Sequence, residues 1–207
     1  IFEKSRGVGG RMSTRTITPY IFDHGAQYFM IKNKHFLDFT SNLINENVIQ
    51  PWTYKHAYFE GTKLMKLKSF TKVHKHYVGV PNMDSIVKYL SDGLNIKLYT
   101  NISKIEKKKQ KWYLTDNENR TYGEFNWVIL TLPAEQSLAL LSKKVSFYNI
   151  IKKIKMKGCF SLMLGMQEQL ELDFDAASIK DYDIGWMAVN NSKPKRNCGF
   201  SLLVNSS

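Results

Sequence analysis

The first twelve residues constrain this chain more than any other stretch. Ile1-Phe2-Glu3 reads as the tail of a strand, and Arg6-Gly7-Val8-Gly9-Gly10-Arg11 follows at once as a glycine-rich turn. An acidic residue at a strand end can accept both hydroxyls of a ribose. Six positions later, Gly9-Gly10 lets the backbone approach a phosphate, which Arg11 can neutralise. The order acid, Gly-Gly, Arg therefore points to nucleotide binding. Taken singly, the same residues have plainer readings: Glu3 as a surface carboxylate after a strand, and Arg11 as an ordinary surface cation.

Composition excludes several classes. With 207 residues, 43% apolar and 23% charged, the chain can bury a core and is neither disordered nor fibrous. No apolar run approaches the ~20 residues of a membrane helix, so no membrane partner is expected. The net charge of +12 comes from 30 basic residues, only five of them Arg, with Lys spread along the chain and denser from Lys104 to Lys111 and Lys152 to Lys157. Nucleic-acid surfaces cluster their charge and favour Arg forks. The pattern reads as compositional bias and argues against a nucleic-acid partner. Cys159 and Cys198 stand far apart, with neither a disulfide framework nor a metal-ligand spacing. A reduced, cytoplasmic compartment is the natural reading.

The rest of the chain alternates helical and strand patterns, which makes the fold class α/β. Phe36, Phe39, Leu43 and Ile44 form a helical stripe within residues 33–47. Trp52 to Phe59 and Lys63 to Lys72 alternate on either side of Gly61, predicting a hairpin. A helix is predicted from Met83 to Leu90, closed by Asp92-Gly93. Short strands are predicted at Ile96 to Tyr99, Ile102 to Ile105, Trp112 to Leu114 and Thr121 to Phe125, ending in a meander. Trp127 to Leu130 is continuously apolar, as in a strand covered on both faces. A helix from Glu135 to Leu141 follows, then strands at Phe160 to Met166, Ile184 to Val189 and Phe200 to Val204.

Glu3-Lys4-Ser5-Arg6-Gly7-Val8-Gly9-Gly10-Arg11-Met12 resembles the second nucleotide-binding motif of the flavin amine oxidase superfamily, and most of all its renalase-like, FAD-dependent oxidoreductases. Phe22-Asp23-His24-Gly25-Ala26-Gln27-Tyr28-Phe29, Tyr77-Val78-Gly79-Val80-Pro81-Asn82-Met83, Leu130-Thr131-Leu132-Pro133 and Asn191-Ser192-Lys193-Pro194 fit the same pattern in the same order. The resemblance implies that Glu3 binds the adenosine ribose of FAD and that Gly9, Gly10, Arg11 and Met12 lie along the pyrophosphate and ribityl chain. It sets Asp23, His24, Gly25, Ala26 and Gln27 beside the flavin, Ile102 at the adenine, and Thr131 and Pro133 near the cofactor. Monoamine-oxidase-type members carry an Arg two residues before the Gly pair, where this chain has Gly7 and its Arg is Arg6. That departure tilts the reading away from an amine substrate.

The resemblance also implies an organisation and an activity. Residues 1–30 and 76–140 are expected to form part of a Rossmann-like FAD-binding domain with its three-stranded meander, and residues 31–75 and 141–207 part of a mixed-sheet substrate domain. The Gly-x-Gly-x-x-Gly unit that opens such domains is absent, so the chain reads as an internal fragment, inactive alone and holding FAD weakly or not at all. The parent is expected to oxidise a small-molecule substrate, a reduced nicotinamide isomer, by hydride transfer to flavin with O2 as acceptor. An amine oxidase and a non-catalytic basic module binding nucleic acid or another acidic surface are the alternatives.

No residue is singled out as catalytic. Gln27, Tyr28 and Trp186 are the expected substrate-cavity residues, though the first two also read as packing at the core edge. His24 reads as a hydrogen-bonded structural histidine. His74 and His76 would share one strand face, but no third ligand follows, so no metal is expected. Trp52, Trp112 and Trp127 read as core, and Cys159 as a small buried hydrophobe. Unpaired strand edges at both ends leave a homodimer or exposed strands as the outcomes.

Overall fold

Asn33 opens the longest helix of the computed structural model, which describes residues 1–197 and 199–207. Cys198, read above as neither disulfide partner nor metal ligand, lies outside the described residues. In chain order the elements begin with Arg15–Ile17 (β1), Tyr20–Phe22 (β2), Phe29–Met30 (β3), Lys34–Asn45 (α1), Ile49–Pro51 (β4), Tyr54–Glu60 (β5) and Lys63–Phe70 (β6). His76–Gly79 (β7), Ser85–Ser91 (α2), Ile102–Lys108 (β8), Lys111–Asp116 (β9), Thr121–Phe125 (β10), Ala134–Leu140 (α3) and Tyr148–Lys152 (α4) follow. Ser161–Met166 (β11), Ala176–Lys180 (β12), Ile184–Val189 (β13) and Phe200–Ser206 (β14) complete the series. This is the mixed α/β class expected from the sequence. The chain passes between two compact units at Gly7, Asp92 and Gly158.

The larger unit comprises Val8–Asp92 and Cys159–Ser207. Its main sheet has six strands in the order β11-β14-β13-β12-β5-β6, antiparallel except where β12 lies parallel to β5. The predicted hairpin about Gly61 is β5 and β6. Almost all of β6 is exposed, and Lys63, Lys66 and Lys68 guard this sheet edge against pairing with other chains. A smaller antiparallel sheet has the order β3-β7-β4.

Helix α1 starts where the Asn33 side chain accepts from the Phe36 amide at 2.8 Å, satisfying a donor the helix itself leaves open. Its buried positions are Thr40 and Leu43, while Phe39 faces solvent. Thr40 tolerates burial because its hydroxyl donates to the Phe36 carbonyl at 2.7 Å. Leu43 joins Ile49, Trp52, Tyr54, Phe70, Val78, Met83 and Ile86 in the core. Burying each large apolar side chain of this kind contributes about 1.5–3 kcal/mol.

The smaller unit comprises Ile1–Gly7 and Gly93–Gly158. Its meander, in the order β10-β9-β8, is the one the sequence predicts. The polar turn after β9 forms because Asp116 Oδ1 accepts from the amides of Glu118 and Arg120, each at 2.9 Å.

Three expectations are corrected. Residues 96–99 form no strand; they contribute one parallel bridge, Lys97 to Phe2. Trp127 to Leu130 is irregular, with Trp127 86% and Ile129 84% exposed. A strand exists through its ladder, and among the described residues no strand pairs with this run. Cys159 is exposed, since it precedes β11 at the sheet edge and lies outside the core. Among the described residues no helix is long and apolar enough to cross a membrane.

Candidate functional site

In the larger unit the Gly-Gly-Arg turn is a clasp. Gly9 (φ 137°) and Gly10 (φ 50°) hold backbone conformations that side-chain-bearing residues avoid. The tight turn over Gly10–Met12 closes with the Met12 amide donating to the Gly9 carbonyl at 2.8 Å. The Arg11 side chain points into solvent, without an ion-pair partner among the described residues. The Arg11 carbonyl turns inward and accepts from the Ala26 amide at 2.9 Å. A Cβ at Gly25 would fall on that carbonyl, so only glycine fits this crossing. Met12 and Ala26 pack half-buried against the core.

Beside the clasp lies a buried charge cluster. Asp23 is 0% exposed and stands at the end of β2. Its Oδ2 accepts from Arg196 Nη2 at 2.7 Å, Arg196 Nε at 3.2 Å and Lys193 Nζ at 3.3 Å. Oδ1 accepts from the Thr14 hydroxyl at 2.6 Å and the Met83 amide at 3.0 Å. Burial pushes this carboxyl up, but Lys193 and Arg196, with the Thr14 hydroxyl, overcome it and hold it at about 2. Burial pulls the Lys193 ammonium down to about 8 against the attraction of Asp23.

Lys193 also donates to Gln27 Oε1 and Asn190 Oδ1, both at 3.2 Å. Gln27 Nε2 donates to the carbonyls of Asp23 at 2.5 Å and Gly25 at 2.9 Å. The Gln27 amide is thus fully engaged, and residues 23–27 are bound into one rigid bend. Sequence reasoning assigned no role to Lys193 or Arg196, which read as part of a basic bias. The available signal was Lys193-Pro194 inside a segment that already matched the family pattern.

Tyr28 and Trp186 belong to an aromatic cluster, with ring centroids 6.1 Å apart. Tyr28 stacks on His76 at 4.6 Å, and His56 lies 5.3 Å from Trp186. Tyr54 and His76 Nδ1 share a hydrogen bond at 3.0 Å, as do His56 Nε2 and the Ser178 hydroxyl. Burial, with a smaller contribution from His76, pulls His56 down to about 4, and burial lowers His76 as well. Both imidazoles are therefore neutral at pH 7. Burial raises the Tyr28 and Tyr54 hydroxyls. His24 Nδ1, His56 Nδ1 and Trp186 Nε1 are among the five buried side-chain polar atoms, with Asn82 Oδ1 and Asp84 Oδ1, that have no hydrogen-bond partner among the described residues.

His74 does not share a strand face with His76. It caps a short turn, accepting from the Thr71 amide at 3.0 Å, while His76 is buried at the start of β7. Among the described residues no three His, Cys, Asp or Glu side chains cluster as a metal site.

The remaining predicted residues belong to the smaller unit. The Glu3 carboxylate is half-buried and accepts from the Ser5 amide at 2.7 Å, while the Glu3 carbonyl accepts from the Thr100 amide at 2.9 Å. Ile102 begins β8, Thr131 is exposed, and Pro133 precedes the first turn of α3. Its fixed φ suits that position, where a missing N–H costs nothing.

Residues 1–43 match the family model described as an NAD(P)-binding Rossmann-like domain. Solved structures share the fold over nearly the whole chain. One is a protein from Exiguobacterium sp. 255-15 provisionally assigned as a protoporphyrinogen oxidase, with TM-score 0.76 and 9% identity over 99% of this chain and 70% of that one. Another is a putrescine oxidase double mutant from a redesign of cofactor binding, with TM-score 0.70 and 9% identity over 100% and 69%. A Pyrococcus furiosus protein matches with TM-score 0.66 and 8% identity over 100% and 72%.

Proposed function

We propose that the protein is a renalase-like, FAD-dependent oxidoreductase that oxidises a small reduced substrate, a reduced nicotinamide isomer, with O2 as acceptor. The observation that carries this reading is the clasp: a positive-φ Gly9-Gly10 turn, a solvent-facing Arg11 guanidinium, and Gly25-Ala26 seated on the Arg11 carbonyl. These residues fit FAD. The glycines present bare amides and Arg11 an unpaired cation, as a pyrophosphate requires. His24 Nδ1 adds a buried, unpartnered polar atom in the stretch assigned to the flavin.

In this reading Glu3 holds the adenosine ribose, Ile102 touches the adenine, and Gly9, Gly10, Arg11 and Met12 follow the pyrophosphate and ribityl chain. Thr131 and Pro133 approach the cofactor. Residues Asp23, His24, Gly25, Ala26 and Gln27 flank the isoalloxazine, and Gln27, Tyr28 and Trp186 face the substrate. FAD, when bound, supplies the two-electron acceptor for a substrate hydride. The chain's own contribution is orientation and exclusion of water. The charge cluster fixes the bend of residues 23–27, and the aromatic cluster keeps its histidines neutral. No side chain is assigned as acid or base. An amine oxidase is the second reading, favoured by the fold shared with putrescine oxidase.

The test is the visible spectrum of the protein from its complete reading frame. A flavin spectrum that bleaches anaerobically with a reduced nicotinamide isomer, and not with amines, is expected; bleaching by amines alone selects the second reading. Arg11→Ala and Glu3→Ala should each weaken FAD binding about tenfold or more, the worth of one charged hydrogen bond. A protein that stays colourless with added FAD overturns the proposal and restores the basic binding module.

A further inference from the structure

The positive charge of this chain is not evenly distributed. The smaller unit carries 15 Lys and Arg against six Asp and Glu, whereas the larger carries 15 against 12. Residues 142–158 hold six Lys (143, 144, 152, 153, 155 and 157), with neither an acidic residue nor an Arg. None of these six ammonium groups has an ion-pair partner among the described residues.

Four apolar residues of the same segment, Phe147, Ile150, Ile154 and Met156, lie outside any core, while Val145, Tyr148 and Ile151 are half-buried. Phe147, Ile150, Ile151 and Ile154 follow the i, i+3, i+4, i+7 spacing of a helical stripe, and the turned backbone of α4 continues to the Ile154 amide, which donates to Ile151 at 2.9 Å. Yet Ile150 is 67% exposed, and Phe147, Ile154 and Met156 are all exposed. Aliphatic side chains in water between unpaired Lys make a surface with two demands, apolar cover and negative charge.

We infer that residues 142–158 dock on an anionic lipid surface, with Phe147, Ile150, Ile154 and Met156 entering the headgroup boundary and the six Lys meeting the lipid charges. The sequence expectation of no membrane partner rests on the lack of a spanning run; lying on a surface needs none. Nucleic acid is a poorer fit, because it calls for Arg forks and stacking aromatics, and this segment offers no Arg and mainly aliphatic carbon. A second copy is also disfavoured, because two such faces would bring twelve like charges together. The inference stands independently of the cofactor reading.

The test is co-sedimentation of the protein with phosphatidylserine-containing vesicles and with phosphatidylcholine vesicles, at low and high salt. Binding to the anionic vesicles that falls with salt is expected. Ile150→Ser with Ile154→Ser, and separately Lys152→Gln with Lys153→Gln and Lys155→Gln, should each weaken it about tenfold or more. These side chains are exposed, so circular dichroism should be unchanged. Equal binding to both vesicle types, or unaltered binding by both variants, overturns the inference. So does tighter binding to a poly(U) probe than to anionic vesicles, or self-association abolished by the Ile variants.

Discussion

Asp23→Asn is the substitution that most directly tests the charge cluster. The asparagine can keep the contacts of Oδ1, because its own oxygen can still accept from the Thr14 hydroxyl and the Met83 amide. What it loses is Oδ2, the single oxygen to which Lys193 and both Arg196 nitrogens donate. An NH2 group there turns donors toward two fully buried cations. Removing one partner of a buried ion pair costs ~3–5 kcal/mol, and we expect about 4 kcal/mol at pH 6. Lys193 offers partial relief. Held at about 8 even beside Asp23, it loses its proton more readily without that carboxylate. The penalty therefore shrinks as pH rises toward 8 and is smallest at pH 9, where Lys193 is neutral in both proteins. Urea unfolding followed by fluorescence, at pH 6 and pH 9, measures it. Adding Lys193→Met to Asp23→Asn should recover ~1 kcal/mol or more, since neighbours in one network are not additive. A cost under about 1 kcal/mol at pH 6, or strict additivity, would refute the network.

Acid should destabilise the protein in two stages. His56, at about 4 when folded against 6.5 unfolded, binds fewer protons folded, so its contribution is complete above 6.5 and lost as pH falls toward 4. His76 acts in the same direction. Asp23 contributes above 3.8 and loses that contribution toward about 2. The urea midpoint should fall between pH 7 and 4, and His56→Gln should flatten that slope; a midpoint constant over this range sinks the assignment. Gly25→Ala should cost ~3 kcal/mol, because backbone cannot yield as a side chain does. Gly10→Ala, at φ 50° but in open space, should cost ~1 kcal/mol. Equal Tm losses for the two would contradict the crossing at Arg11.

Local chemistry made several features legible in the sequence. The helical stripe within residues 33–47, the hairpin about Gly61, the meander and the helix after Pro133 all arise from residues a few positions apart, and propensity and turn geometry suffice for them. The Gly-Gly-Arg turn was likewise visible, because positive φ leaves a mark on residue type. Tertiary structure decided the rest. β12 pairs in parallel with a strand over a hundred residues earlier, and no local pattern announces that partner. Trp127 to Leu130 has the composition of a strand, but a ladder needs a neighbour, and composition cannot supply one. Asp23 meets Lys193 and Arg196 across about 170 positions. In sequence these are one acid among 18 and two bases among 30. Only burial together makes their charges interact strongly, because water no longer screens them.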